Sequence, residues 1–134
     1  MMRRVARLGV IGIGVVAAGY LAAVFAQTGF TRVILQDEAL AVPGRHAVTA
    51  RAEFEPGGEA GLHVHPGEEI GYVLEGQVEL AIDGRPTASL KAGDVFFIPA
   101  GVPHNGRNAG GTKASILSVF VAEQGKALAV PVKR

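Results

Sequence analysis

Three histidines and one glutamate are the side chains of this chain best suited to bind a metal ion. His63 and His65 are separated by one residue. On an extended segment this spacing places both rings on one face, with Cα atoms about 6–7 Å apart, as two neighbouring ligands of one ion require. Glu69 follows beyond the Pro66-Gly67 turn, so its carboxylate can return to the same point. These nitrogen and oxygen donors predict a mononuclear metal site.

His104 is the candidate for the fourth ligand. The other histidine, His46, stands alone in a predicted strand among small residues. A His-x-His pair by itself often binds no metal, so the prediction depends on the whole set of residues. Glu68 is predicted to face solvent, because side chains alternate along a strand and Glu69 has the parity of the histidines. Tyr72 falls on the face opposite to Glu69, which favours packing or an interface.

The donor set restricts the cofactor to one divalent transition metal. Three imidazoles and one carboxylate without sulfur suit Fe, Mn, Ni, Cu or Zn and do not select among them. The chain contains no cysteine, which excludes disulfides, thiolate metal sites and a cysteine nucleophile. Four protein ligands leave one or two positions of a five- or six-coordinate ion for dioxygen or for a substrate oxygen.

The first 26 residues have the composition of an export signal or a membrane anchor. Arg3, Arg4 and Arg7 precede an apolar stretch, residues 8–26, that has no charged residue and is predicted to be helical. Signal cores are typically about 7–15 residues long, and about 20 residues cross a bilayer. Four glycines and a small residue at Ala26 favour cleavage, and retention as an inner-membrane anchor is the alternative. Either outcome predicts a periplasmic or extracellular location for the rest of the chain.

The remaining sequence is predicted to be all-β. Residues 46–54 alternate so that Val48, Ala50, Ala52 and Phe54 share one face. About seven to nine short strands separated by glycine and proline turns indicate a sandwich or a barrel. Further strands are predicted over residues 70–75, 77–82, 86–90, 94–98 and 114–121.

Three local features refine this prediction. Asp83-Gly84 predicts a type I′ hairpin turn. Residues 37–42 are the one candidate for a short helix outside the leader. The strand over 114–121 is apolar on both faces, which is typical of a central strand. The predicted domain organisation is a leader over 1–26, an N-terminal extension over 27–44, a barrel over 45–122 and a C-terminal tail over 123–134.

Two motifs in this barrel segment resemble those of the cupin superfamily, and both match at every position. The first consists of Gly57, five residues, His63-Val64-His65, three residues, Glu69, six residues and Gly76. The second consists of Gly93, five residues, Pro99-Ala100-Gly101, two residues, His104, three residues and Asn108. The spacer of 16 residues is short, as in small single-domain members, and the resemblance covers about residues 45–122.

The resemblance implies a jelly-roll barrel, the cupin double-stranded β-helix, in which His63, His65, Glu69 and His104 bind one metal ion. It also implies an oxidoreductase of dioxygenase type, similar to the small quercetin-dioxygenase-like cupins, that acts on a small oxygen-rich organic molecule. The motif glycines, Pro99 and Asn108 are expected to shape turns. The alternatives are a binding module without turnover, a metal-dependent isomerase, and a barrel in which the metal is structural.

Charge and surface patterns restrict the partners. Without the three leader arginines, 10 basic residues face 12 acidic ones, and no basic run remains, which excludes a nucleic-acid footprint. Membrane contact is expected only through the N-terminal segment if it is not cleaved. A homodimer is expected because small cupins commonly pair and because the 114–121 strand needs cover on both faces.

Overall fold

The computed structural model describes residues 27–133, which form ten β-strands. The predicted apolar helix of the leader lies outside the described residues. Within the described range, no helix combines the length and hydropathy needed to cross a bilayer. The strands are β1 (Thr28–Ala39), β2 (Arg45–Glu59), β3 (His63–Val64), β4 (Gly67–Glu75), β5 (Gln77–Ile82), β6 (Ala88–Lys91), β7 (Val95–Ile98), β8 (His104–Arg107), β9 (Ala114–Glu123) and β10 (Val130–Pro131).

The strands form a nearly closed antiparallel barrel with two five-stranded halves. One half has the order β1-β2-β9-β4-β7, and the other has the order β6-β5-β8-β3-β10. The halves join where Glu59 of β2 pairs with Arg107 of β8. This architecture confirms the predicted all-β jelly-roll barrel. Strand β3 contains His63 and is followed by His65, and β8 begins at His104. The barrel places these two strands opposite β4 and β9.

Alternation along the central strands separates the barrel interior from its surface. Val48, Ala50, Ala52 and Phe54 of β2 are all buried, as their shared parity predicts. Strand β9 is hydrogen-bonded to β2 on one side and β4 on the other, so it is the predicted central strand. The interior contains two apolar clusters, one around Ile116 and one around Phe120, and Ser118 lies between them along β9. A polar site is thus enclosed between two apolar layers.

The predicted helix over residues 37–42 is wrong. Strand β1 continues to Ala39, and Asp37, Glu38 and Ala39 pair with Val48, Ala47 and His46 of β2. The local sequence has the polar residues of a helix start, but the long ladder with β2 satisfies these main-chain groups as a strand. Residues 27–44, expected as an extension, therefore contribute a strand to the barrel.

The predicted type I′ turn at Asp83-Gly84 is also wrong. Gly84 has a positive φ of 79°, but no residue other than glycine has a positive φ in the described chain, and a type I′ turn requires it at both central positions. Asp83 and Gly84 do occupy the centre of a turn, in which the Arg85 N–H donates to the Ile82 oxygen over 3.0 Å. Pairing of β5 with β6 ends at Leu80 and Ala88, so the connection continues beyond this turn through Pro86.

Two glycines of β4 and its following turn are required by geometry. Gly76 has a φ of 73° and reverses the chain between β4 and β5, as its motif position predicts. Gly67 begins β4 so close to β9 that an added Cβ would lie 1.8 Å from the Val121 carbonyl oxygen. This close approach sets the position of the β4 segment that contains Glu69.

We expect Gly67→Ala to lower the free energy of unfolding by about 1–3 kcal/mol or more, because the Cβ meets main chain that cannot turn aside. Gly111→Ala is the matched control, since a Cβ there meets nothing within 4 Å and its φ is not positive. Chemical denaturation of both variants measures the difference. Equal stability of the two variants would contradict the close approach of β4 and β9.

Candidate metal centre

The barrel brings the three motif histidines to one buried point. His63 begins β3 and pairs directly with His104, which begins β8. His65 lies just after β3 on the same face as His63, as their spacing predicts. All three side chains are buried, and any two of the rings have centroids 4.3–4.9 Å apart. The Phe120 ring packs edge-on against His65 with centroids 4.6 Å apart.

Each of these rings is oriented by a main-chain carbonyl. The Nδ1 of His63 lies 2.7 Å from the Gly61 oxygen, and that of His104 lies 2.9 Å from the Val102 oxygen. The Nδ1 of His65 lies 2.5 Å from the oxygen of Leu128, in the segment that leads into β10. Because a carbonyl oxygen only accepts, all three Nδ1 atoms carry the proton. The three Nε2 atoms are left with lone pairs, which is the tautomer that a metal ligand needs.

The Nε2 lone pairs converge with the carboxylate of Glu69. The Nε2 atoms of His63 and His65 are 3.2 Å apart, and Glu69 Oε2 lies 3.1 Å from His65 Nε2 and 3.4 Å from His104 Nε2. His104 Nε2 is buried without a hydrogen-bond partner. Two ligands bound about 2.1 Å from one ion are about 3.0–3.4 Å apart. The three histidines each offer a ligand atom within 4.8 Å of the other two, and Glu69 contacts two of them, so these donors fit a cation held between them.

Glu69 is held as a carboxylate by β9. Ser118 donates its hydroxyl to Glu69 Oε1 over 2.7 Å. Burial by itself would raise the pKa of Glu69, but hydrogen bonds from the protonated forms of His104 and His65, together with the Ser118 hydrogen bond, hold it below its ordinary range in the metal-free chain. The carboxylate therefore supplies a fixed negative charge at the site.

His63 is kept neutral in the folded chain. Burial is the main cause, followed by the neighbouring charge of His104, and together they lower the pKa of His63 to about 3. A neutral imidazole is the form that binds a metal ion, so this ring is ready for coordination at ordinary pH.

A small cavity opens beside this cluster and contains a cation that the sequence did not reveal. Its volume is about 30 Å³, and it is lined by apolar side chains together with His63, Glu69, His104 and Arg32 of β1. Phe30 and Arg32 are the two β1 side chains that are partly buried, whereas the rest of the strand is exposed. Their spacing of two was the available signal, but it lay in a segment that was expected to extend outside the barrel.

The other residues considered from the sequence lie away from this cluster. Tyr72 is exposed on the outer face, and Glu68 is less buried than Glu69, as alternation predicts. His46 contacts Asp37 through Nδ1 at 2.7 Å, outside the cavity. Asn108 braces its turn as its motif position implies, donating to the Thr112 and Phe54 carbonyls and accepting from Gly110 N.

Comparison with known proteins adds a family to this geometry. A family model described as "Cupin domain" matches residues 50–120, more than half of the chain. Germin-like protein subfamily 2 member 2 from Arabidopsis thaliana is 37% identical over 87 residues, and oxalate oxidase 2 from Hordeum vulgare is 34% identical over 90 residues. These matches cover 59% and 61% of the chain, which spans about 40% of the length of either relative. A solved structure of oxalate oxidase aligns with a TM-score of 0.63 and 28% identity over 78% of this chain and 55% of that one.

The lowered pKa of His63 predicts that the metal-free protein loses stability on acidification. In the unfolded chain, His63 binds a proton near pH 6.5, whereas in the folded chain it does so only near pH 3. The free energy of unfolding should therefore be highest above pH 6.5 and decrease below it, with a slope approaching about 1.4 kcal/mol per pH unit. Glu69 adds to the loss only below its ordinary pKa of 4.5. Urea denaturation of chelator-treated protein between about pH 6.5 and pH 5 measures this loss above the range in which Glu69 contributes.

His63→Gln should reduce this slope by the equivalent of about one proton. Gln77→Asn is the control, because Gln77 is exposed on β5 and carries no ionisable group, and it should leave the slope unchanged. A slope that stays the same in His63→Gln would show that this ring is not buried in its neutral form.

Proposed function

The chain belongs to the cupin family, and from that premise we propose that it is a metal-dependent oxidoreductase acting on a small oxygen-rich organic molecule. One divalent transition metal (Fe, Mn, Ni, Cu or Zn) would be held by His63, His65, Glu69 and His104. The observation that carries the proposal is the convergence of three histidine rings, each oriented through Nδ1, with the carboxylate of Glu69. Oxalate oxidases among the relatives favour oxidation over isomerisation.

The residues of the site have separate tasks in this proposal. The three imidazoles bind through Nε2, and their carbonyl partners prevent the rings from turning away. Glu69 supplies one negative charge, and Ser118 prevents its carboxylate from rotating. The bound divalent ion would supply Lewis acidity and a place for dioxygen or a substrate oxygen. Apolar walls around the cavity exclude water and strengthen each electrostatic contact.

The cavity is small and partly open to solvent, so its volume restricts the part of a molecule that it encloses. By this measure of volume, one water molecule requires about 10–15 Å³, so about 30 Å³ accommodates a molecule of a few non-hydrogen atoms. This favours a small organic acid or a similar compound over a large aromatic substrate.

Binding without turnover is the second candidate function. Among the described residues, the ionisable side chains that line the cavity are His63, Glu69, His104 and Arg32. The acidic residues Glu53, Glu75 and Glu79 do not line it, which leaves no separate general acid or base. Oxygen uptake with oxalate and other small acids as probes separates the two functions, because a binding module consumes no oxygen.

We further propose export and a homodimer. Export rests on the basic and apolar leader, and N-terminal sequencing of the protein recovered from whole cells would contradict cleavage if it began at Met1. The dimer is supported by an exposed apolar face on β4 and β7, and light scattering measures it directly. The large residues of this face are Ile70, Tyr72, Leu74, Val95 and Phe97.

Purified wild-type protein should contain about one divalent metal ion per chain by elemental analysis. Glu69→Gln and His104→Gln should each lower the metal affinity by at least about tenfold, because each removes or neutralises a donor that faces the ion. Equilibrium titration with Mn²⁺ or Zn²⁺ against a chelator measures this change.

His46→Gln is the matched histidine control and should retain wild-type metal content, since its ring contacts Asp37 outside the cavity. Thermal melting confirms that each variant is folded. A wild-type protein that stays metal-free after growth in medium rich in iron and manganese would refute the proposed function.

A further inference from the structure

Arg32 is the one cation that lines the cavity, and β1 places it there. Its guanidinium carbon lies 5.3 Å from the centre of the Phe30 ring and 5.8 Å from that of Phe120. Contacts of this kind hold the planar group against the two rings by cation–π attraction. Phe120 also packs against His65, so the same ring contacts both the guanidinium and the histidine cluster.

No side chain in the part of the chain that the structure describes neutralises this cation at hydrogen-bonding distance. Within residues 27–133, the guanidinium of Arg32 takes part in no hydrogen bond and in no ion pair within 4 Å. Arg32 interacts electrostatically with Glu69, but the two are not paired. The oxygens of Glu69 already contact His65, His104 and Ser118. Burial, partly offset by the charge of Glu69, lowers the pKa of Arg32 from its ordinary value. Even so, a guanidinium stays protonated in proteins.

A partly buried guanidinium destabilises the fold when its N–H donors have no hydrogen-bond acceptors. The oxygens of a bound anion would supply these acceptors. Its N–H donors form a planar fork that matches the two oxygens of a carboxylate. The small cavity provides room for a carboxylate that carries only a few further atoms.

We propose that Arg32 is the receptor for a carboxylate of the substrate, and that the substrate is a small carboxylic acid bound between Arg32 and the metal centre. This assignment rests on the proposed function and specifies its substrate class. The guanidinium binds one carboxylate, and the rest of the molecule extends toward the cluster formed by His63, Glu69 and His104. Arg32 therefore selects and positions the ligand and is not itself a metal ligand.

Binding of acetate, with acetamide as its neutral analogue of equal size, tests this proposal. Isothermal titration or ligand-observed NMR is carried out with the full chain, both metal-loaded and chelator-treated. Wild-type protein should bind acetate in both states and should bind acetamide at least about tenfold more weakly. Arg32→Gln should weaken acetate binding by at least about tenfold and leave the metal content unchanged.

Arg32→Lys keeps the charge but loses the fork, and it should bind acetate with an affinity between those of wild type and Arg32→Gln. Arg51→Gln is the matched control, because Arg51 is exposed on β2 and pairs with Glu53. Thermal melting verifies the fold, and if Arg32→Gln does not fold, the comparison of Arg32→Lys with wild type decides. Acetate binding that is equal in wild type and in the folded Arg32 variants, or equal binding of acetate and acetamide, overturns the proposal.

The two proposals fail in different ways. If wild-type protein binds one metal ion but does not bind acetate more tightly than acetamide, the proposed role of Arg32 is refuted and the metal centre is not affected. A wild-type chain that binds no metal but still binds acetate through Arg32 refutes the metal-dependent function and supports the carboxylate receptor.

Discussion

The rest of the structure depends on one constraint, which is that three imidazoles and a carboxylate must share a buried point. Polar groups removed from water destabilise a fold unless they find partners. Main-chain carbonyls satisfy one side of each ring, and Ser118 satisfies one oxygen of Glu69. The remaining lone pairs all face one another, and only a cation satisfies them together. The barrel thus contains buried acceptor atoms that none of its described residues satisfies.

The two halves of the barrel contribute opposite parts of this site. Strands β3 and β8 position the histidines, and β4 and β9 position Glu69 and the hydroxyl that fixes it. Strand β1 adds Arg32 at the same cavity, so a metal cation and a guanidinium would border one small volume. Both are positive, and together they exceed the single charge of Glu69. With the proposed metal bound, an anionic ligand would therefore complete the charge balance of the interior, whereas a neutral or cationic molecule would not.

The convergence of the four predicted ligands could be anticipated because its signal is local. His63 and His65 share strand parity, and the glycines that shape nearby turns lie at fixed positions in the sequence. Arg32 could not be anticipated in this way, because its position depends on β1 pairing with β2 far along the chain. The same pairing explains why the helix predicted over 37–42 is wrong. The Leu128 oxygen that orients His65 belongs to the main chain, so no residue type in the sequence indicates this contact.

The contact between His65 and Leu128 also determines when the centre can form. These residues are 63 positions apart, and Ser118 is 49 positions from Glu69. A nascent chain that has left the ribosome only as far as His104 contains all four donor side chains, but it lacks the groups that orient His65 and Glu69. Such long loops close slowly. If the site binds metal as proposed, its fully oriented form requires the chain as far as Leu128, so tight binding would follow the folding of the barrel and not precede it.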